Sequence, residues 1–224
     1  MNETTKTRRI LSEERLKLLS GHGIDIGCGP DPIRPDAKCF DLSDGDANEI
    51  TKYVNDQFDY VYASHCLEHM RDPHKAVNEW WQIVKPGGYL FLIVPDEDLY
   101  EQGVFPSRFN PDHKATFTIS KRKSWSSASV NLYDLLLSLE NGKLICIELQ
   151  DDNYDRSRMK HGRCYHTAPA YIHTIPRILS SSKILSSHSV SIINDILYRP
   201  YVIDQTLNDD ALAQICGIVQ KIND

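Results

Sequence analysis

No stretch of the 224-residue chain approaches the roughly 20 consecutive apolar residues that a bilayer-crossing helix needs. The first residues, Met1 to Arg9, are polar and lack the apolar segment of a secretory signal. The cysteines at 28, 39, 66, 146, 164 and 216 include no Cys-x-x-Cys pair. Scattered thiols in apolar neighbourhoods read as reduced, structural residues of a cytoplasmic protein. Positive charge is also short: the formal net charge is −6, which argues against a nucleic-acid partner. The one dense basic run, Lys121-Arg122-Lys123, reads as a solvated loop, although it could touch an anionic substrate. No internal repeat is visible, so repeat architectures are excluded.

What is present suffices for a globular core, with 41% hydrophobic and 25% charged residues. Residues 12–20 predict a short helix feeding a first strand, Gly23 to Ile26. A second strand is expected over Lys38 to Leu42, then an acidic turn through Asp44, Gly45 and Asp46. Phe58 to Ser64, rich in aromatic and β-branched residues, predicts a third strand. Asp72 can cap the next helix, Pro73 fits its first turn, and Ala76, Val77, Trp80 and Val84 share a face. Lys85-Pro86-Gly87-Gly88 stops it, and Tyr89 to Pro95 runs apolar without alternation, as a strand covered on both faces does. Strand, helix and strand of this kind predict a parallel sheet. Further on, residues 130–140 predict a helix, 143–149 a strand, 180–191 a serine-rich loop, and 208–222 a terminal helix. In that last helix Leu212, Ile215, Val219 and Ile222 would form one side, for core packing rather than a dimer seam.

Gly23-Ile24-Asp25-Ile26-Gly27-Cys28-Gly29-Pro30 ends the first strand in glycines, which let the backbone turn tightly and approach a ligand closely. A dinucleotide fingerprint needs a third glycine opening a helix, and Pro30-Asp31-Pro32 stands there instead. Only residues 30–37 separate the first two strands, fewer than a helical crossover needs, and Pro30, Pro32 and Pro35 forbid a regular helix. The first crossover helix should therefore be reduced or absent.

Five segments in order carry a resemblance over about residues 20–118: Gly23 to Pro30, Asp41 with Gly45-Asp46-Ala47, Phe58-Asp59, Ser64 to His69, and Val84 to Gly88. Together they resemble the class I methyltransferases that use S-adenosylmethionine (SAM). Within that superfamily the chain is similar to small type 11-like bacterial enzymes associated with surface-glycan synthesis, through Leu99-Tyr100-Glu101 and Arg108 to Lys114. The resemblance implies an α/β, Rossmann-like sheet with helices on both faces. It also implies SAM as cofactor and S-adenosylhomocysteine (SAH) as product. The backbone around Gly27, Cys28 and Gly29 would reach the methionine and ribose portions, and Asp25 would order the loop or contact the amino group. Asp41 would accept from both ribose hydroxyls, Asp46 from the adenine amine, and the Ala47 N–H would meet a ring nitrogen. Ser64 and His65 would lie beside the sulfonium.

His113, in Asn110-Pro111-Asp112-His113-Lys114, is the candidate proton acceptor, with Asp112 as its orienter; the alternative is that it only braces the loop. His65-Cys66-Leu67-Glu68-His69 also matches the zinc-peptidase pattern His-x-x-Glu-His, which on a helix would put both histidines on one face. It follows a strand directly, so Glu68 and His69 are expected to fix the loop, and no metal is assigned. His161, His166 and His173 read as surface or packing residues.

These readings make residues 1–224 one methyltransferase domain, with a cofactor core over about 20–118 and specificity elements over about 119–224. The expected acceptor is a hydroxyl of a sugar or glycan intermediate. A small-metabolite N- or O-methyltransferase and a non-catalytic SAM- or SAH-binding subunit stay open as alternatives. A homodimer stays open too.

Overall fold

The computed structural model describes residues 3–159, 193, 204–207 and 210–223. Two short helices, α1 (Glu3–Ile10) and α2 (Glu13–Lys17), lead into strand β1 (Gly23–Ile26). β2 (Lys38–Phe40), β3 (Phe58–Ser64), helix α3 (Pro73–Gln82) and strand β4 (Val84–Pro95) follow. Strands β5 (Thr116–Thr118) and β6 (Ser129–Asn131) pair with each other, and α4 (Leu132–Leu137), β7 (Gly142–Gln150) and β8 (Gln214–Lys221) complete the order. The main sheet runs β2-β1-β3-β4-β8-β7. β1 to β4 are mutually parallel, β8 is antiparallel to β4, and β7 is antiparallel to β8. This is the expected α/β sheet, with one reversed strand inserted near its edge.

Both faces are covered. One carries Trp80, Val77, Leu132 and Leu136 from α3 and α4 against Ile24, Ile26, Val61, Leu90 and Leu92. The other packs Leu11, Leu19 and Ile33 on Tyr60, Tyr62, Phe91 and Ile93. As expected, no helix links β1 to β2. Instead the proline segment is pinned from outside: Arg8 donates to the carbonyls of Pro32 (2.6 Å) and Ile33 (3.0 Å), and Thr5 donates twice to Asp31 at 2.7 Å. Those contacts come from α1, an element that the polar N-terminal residues gave no apolar period to reveal.

α3 starts where its punctuation placed it, with Asp72 accepting from the N–H groups of His74 and Lys75. Asp72→Ala should destabilise the protein by about 1 kcal/mol, read as a lower urea midpoint with unchanged slope. An unchanged midpoint would show that the cap contributes nothing.

The helix expected over residues 208–222 does not form, since Gln214–Lys221 is β8. Ile215 and Val219 enter one core cluster while Cys216 and Ile218 enter the other, the two-residue alternation of a strand buried on both faces. A continuous apolar run satisfies helical and strand periods equally, and β-branched residues favour the strand. Of the stripe expected to pack in the core, Leu212, Ile215 and Val219 are buried, whereas Ile222 is exposed. The 130–140 helix is shorter than expected, because Ser129–Asn131 is strand and Asn131 caps α4. Lys121 is no solvated charge either: it pairs with fully buried Glu97 (2.9 Å) and with Asp98 (2.6 Å). The serine-rich stretch and His161, His166 and His173 lie outside the described residues.

Candidate functional site

The carboxyl ends of β1, β2, β3 and β4 converge, the place where open parallel sheets bind ligands. At the tip of β1, Gly27 (φ +73°) and Gly29 (φ +49°) take left-handed turns that residues with a Cβ adopt at a cost. A Cβ on Gly27 would meet Cys66 at 3.0 Å, whereas one on Gly29 would meet nothing within 4 Å. Gly29 therefore borders open space. Its N–H donates to Asp41 Oδ2 (3.1 Å), and the Leu42 N–H donates to Asp41 Oδ1 (2.7 Å). The turn and the carboxylate at the end of β2 are one unit. Beside Asp41, the side chain of Leu42 is 91% exposed. An apolar side chain offered to solvent next to a carboxylate suits a base lying over it, and sequence reasoning missed it.

Asp25 lies under the turn, 1% exposed, accepting from the Ile33 N–H at 2.7 Å. Of its two expected roles, ordering the loop is the one its hydrogen bond performs. Burial pushes its carboxyl up to about 7, against the pull of the Ile33 N–H. A carboxyl raised in the folded state holds its proton better than in the unfolded chain between pH 4 and 7. Stability from this group is thus present at low pH and lost as pH rises toward 7. Asp25→Asn keeps an acceptor for Ile33 without the charge. Its unfolding free energy relative to wild type should rise by more than about 1 kcal/mol from pH 5 to pH 8, read from urea unfolding at each pH. A pH-independent difference would refute this.

Asp46 caps the 3-10 turn Ala47–Lys52, accepting from the Asn48 N–H (2.9 Å) and side-chain amide (2.7 Å), and its second oxygen takes Arg71 at 2.9 Å. Asn48, then Arg71, hold its carboxyl below the usual range. One oxygen is filled by these bonds and the other keeps room for one more donor. The Ala47 carbonyl is occupied by the Trp80 indole N–H at 2.8 Å.

β3 delivers Ser64, whose Oγ is buried without a hydrogen-bond partner. His65 turns out of the strand at φ +51°, with Nε2 on Gln214 Oε1 (3.0 Å) and Nδ1 facing Glu68 Oε1 at 3.4 Å. The His-x-x-Glu-His segment is therefore not a helix; Leu67–His69 is a single 3-10 turn. The loop-fixing role belongs to its backbone: the Glu68 carbonyl accepts from the N–H groups of Lys114 (2.7 Å) and Ala115 (3.3 Å), and the His69 carbonyl from Lys114 Nζ (2.7 Å).

That clamp brings His113 over Glu68, with Nε2 at 3.9 Å from Glu68 Oε1. His113 is 6% exposed, and its Nδ1 lies 2.7 Å from Glu101 Oε1. Asp112 does not orient His113. It is exposed and bonds His69 Nδ1 at 2.9 Å, so the orienter is Glu101, on the π-type turn Glu97–Glu101. Sequence spacing pointed to the neighbouring acid, whereas the fold supplies one twelve residues upstream. Burial works to raise the Glu68 carboxyl, but facing His65, with His113 and His69, holds it below the usual range. Tyr100 meets Phe109 edge-on and lies tilted beside His113, with ring centroids 5.6 and 5.4 Å apart.

The arrangement fits a sulfonium nucleoside. Gly29 borders open space, Asp41 is pre-oriented by two backbone N–H groups, Leu42 is uncovered, and the unpartnered Ser64 Oγ marks the strand end beyond them.

Comparison with known proteins agrees. A family model described as "Methyltransferase domain" matches residues 5–146, more than half of the chain. No curated protein matches. Among solved structures, the [4+2]-cyclase SpnF is similar at 14% identity and a TM-score of 0.50, covering 92% of this chain and 78% of its own. A SAM dependent methyltransferase from Archaeoglobus fulgidus is 17% identical over 99% of this chain and 95% of its own, with a TM-score of 0.46. The plantazolicin methyltransferase BamL, solved with SAH, is 12% identical over 98% of this chain and 85% of its own, with a TM-score of 0.47. At 14% identity the likeness to SpnF speaks for the fold alone, the two structures with TM-scores under 0.5 carry no argument, and the family match supplies the rest. The chain belongs to the methyltransferase-domain family, as a class I, SAM-dependent methyltransferase.

Proposed function

We propose that this methyltransferase acts on a hydroxyl of a sugar or glycan intermediate. The observation that carries the reading is the buried His113, fixed through Nδ1 by Glu101 and facing Glu68 with Nε2. A hydroxyl sheds its proton as the methyl arrives, and a fixed acceptor group at hand serves that need. Tyr100, beside His113 and edge-on to Phe109, brings aromatic surface to this end of the site, of the kind that packs on the apolar face of a sugar. The sulfonium cofactor supplies an activated methyl group, so holding the acceptor in line contributes much of the rate.

The chain's own residues divide the binding. Backbone around Gly27, Cys28 and Gly29 takes the amino-acid end, Asp41 both ribose hydroxyls, and Asp46 with Ala47 the base, which Leu42 covers. Ser64 and His65 border the sulfonium side. Residues beyond about 119 would set acceptor specificity. Free thiols at Cys28, Cys39, Cys66, Cys146 and Cys216 support a reducing, cytoplasmic setting. Among the described residues no helix is long and apolar enough to cross a membrane.

Incubation with methyl-labelled SAM and fractionated bacterial glycan precursors tests the reading, with label expected in an ether-linked sugar. Label confined to small metabolites would replace the acceptor. Cofactor binding with transfer to no fraction would make the chain a regulatory subunit.

A further inference from the structure

Glu68 poses a problem that methyl transfer alone does not answer. Its carboxylate is fully buried, and neither oxygen has a hydrogen-bond partner. His65 Nδ1 at 3.4 Å and His113 Nε2 at 3.9 Å face it without making such a bond. Among the described residues the histidines are its only charge partners, at loose distances, and a buried carboxylate is normally paired more closely or given to a metal.

The histidines around it are arranged from behind. His113 Nδ1 is held by Glu101 at 2.7 Å, and His69 Nδ1 by Asp112 at 2.9 Å. A carboxylate on Nδ1 keeps the proton there, leaving Nε2 with a free lone pair. This is the outer-shell partner that metal-binding histidines have. One donor atom from each of Glu68, His69 and His113 lies within 4.8 Å of the others. We propose that these three residues bind one divalent cation of the zinc class, through the Glu68 carboxylate and Nε2 of His69 and His113.

Two imidazoles select zinc or a similar transition ion over magnesium or calcium, which prefer all-oxygen sets. In a tetrahedral site with bonds of about 2.0–2.1 Å, donors lie about 3.3 Å apart. Glu68 and His113, at 3.9 Å, need to close by about half an ångström, and the partly exposed His69 can follow by rotation. His65 falls outside this group of three: its Nε2 is taken by Gln214, and its Nδ1 stays beside Glu68 Oε1 at 3.4 Å as a neighbour of the site. Three protein ligands leave one position open, as in catalytic rather than structural zinc sites. The site's use in turnover rests on the acceptor reading above: with a cation bound, the His113 lone pair is a ligand, and a hydroxyl at the open position is made more acidic. The site's existence does not rest on it.

The test reads metal content. Wild-type protein loaded with Zn²⁺, desalted and analysed by plasma mass spectrometry should retain about one zinc per chain, as a three-ligand site with good outer-shell support does. Glu68→Gln and His69→Ala should retain less than about one fifth of that, whereas exposed His74→Ala should match wild type. His69 is partly exposed, so its variant is the one expected to fold normally, checked by thermal melting. Loading with Co²⁺ should give the visible bands of tetrahedral coordination in wild type and not in His69→Ala. Wild type without retained zinc, or a folded His69→Ala that retains as much, overturns the proposal. Failure of the acceptor reading would appear separately, as zinc bound at the trio but no hydroxyl methylated.

Discussion

His113→Ala is expected to lower turnover about 10²–10⁴-fold while SAM affinity stays within about twofold of wild type. The split follows from placement. His113 is held by Glu101 at one end of the site, and Asp41 and the glycine turn, which would hold the nucleoside, are built from other elements. Removing the imidazole leaves Glu101 buried without its partner, a loss of about 1–3 kcal/mol in stability. Turnover should therefore be measured well below the variant's melting point. Near-normal turnover in a folded His113→Ala protein would return the residue to the bracing role.

Asp41→Ala is expected to do the reverse and to weaken SAM binding about 100-fold, with the fold intact. Two hydrogen bonds from ribose hydroxyls to a carboxylate contribute about 1.5–3 kcal/mol each, and part of that is kept by water once the side chain is gone. The residue lies at the partly exposed end of β2, and its bonds to the N–H groups of Gly29 and Leu42 order the turn rather than the core. Asp41→Asn, which keeps one acceptor oxygen, should fall between the two. An unchanged dissociation constant in Asp41→Ala would remove the ribose contact.

Much of this was written locally. Asp72 with Pro73 begins a helix wherever it sits, and three prolines in residues 30–37 rule a helix out, so α3 and the bare β1–β2 connection could be read directly. The glycine turn and Asp41 were legible because they meet across adjacent strand ends. What escaped depended on distant contacts. Ile215 to Val219 is apolar at nearly every position, and only burial between α4 and the N-terminal helices decides that it is strand. Asp112 was the nearest acid to His113 in sequence, yet the clamp of Lys114 and Ala115 on the Glu68 carbonyl turns His113 inward to Glu101 and leaves Asp112 for His69. Leu42 escaped because exposure has no sequence pattern of its own.

Titration calorimetry of the purified protein with SAM and SAH, repeated on Asp41→Ala, tests the cofactor pocket most directly. The pocket described above predicts saturable binding of both ligands to wild type and a much weaker isotherm for the variant. Wild-type protein that binds neither ligand would contradict it.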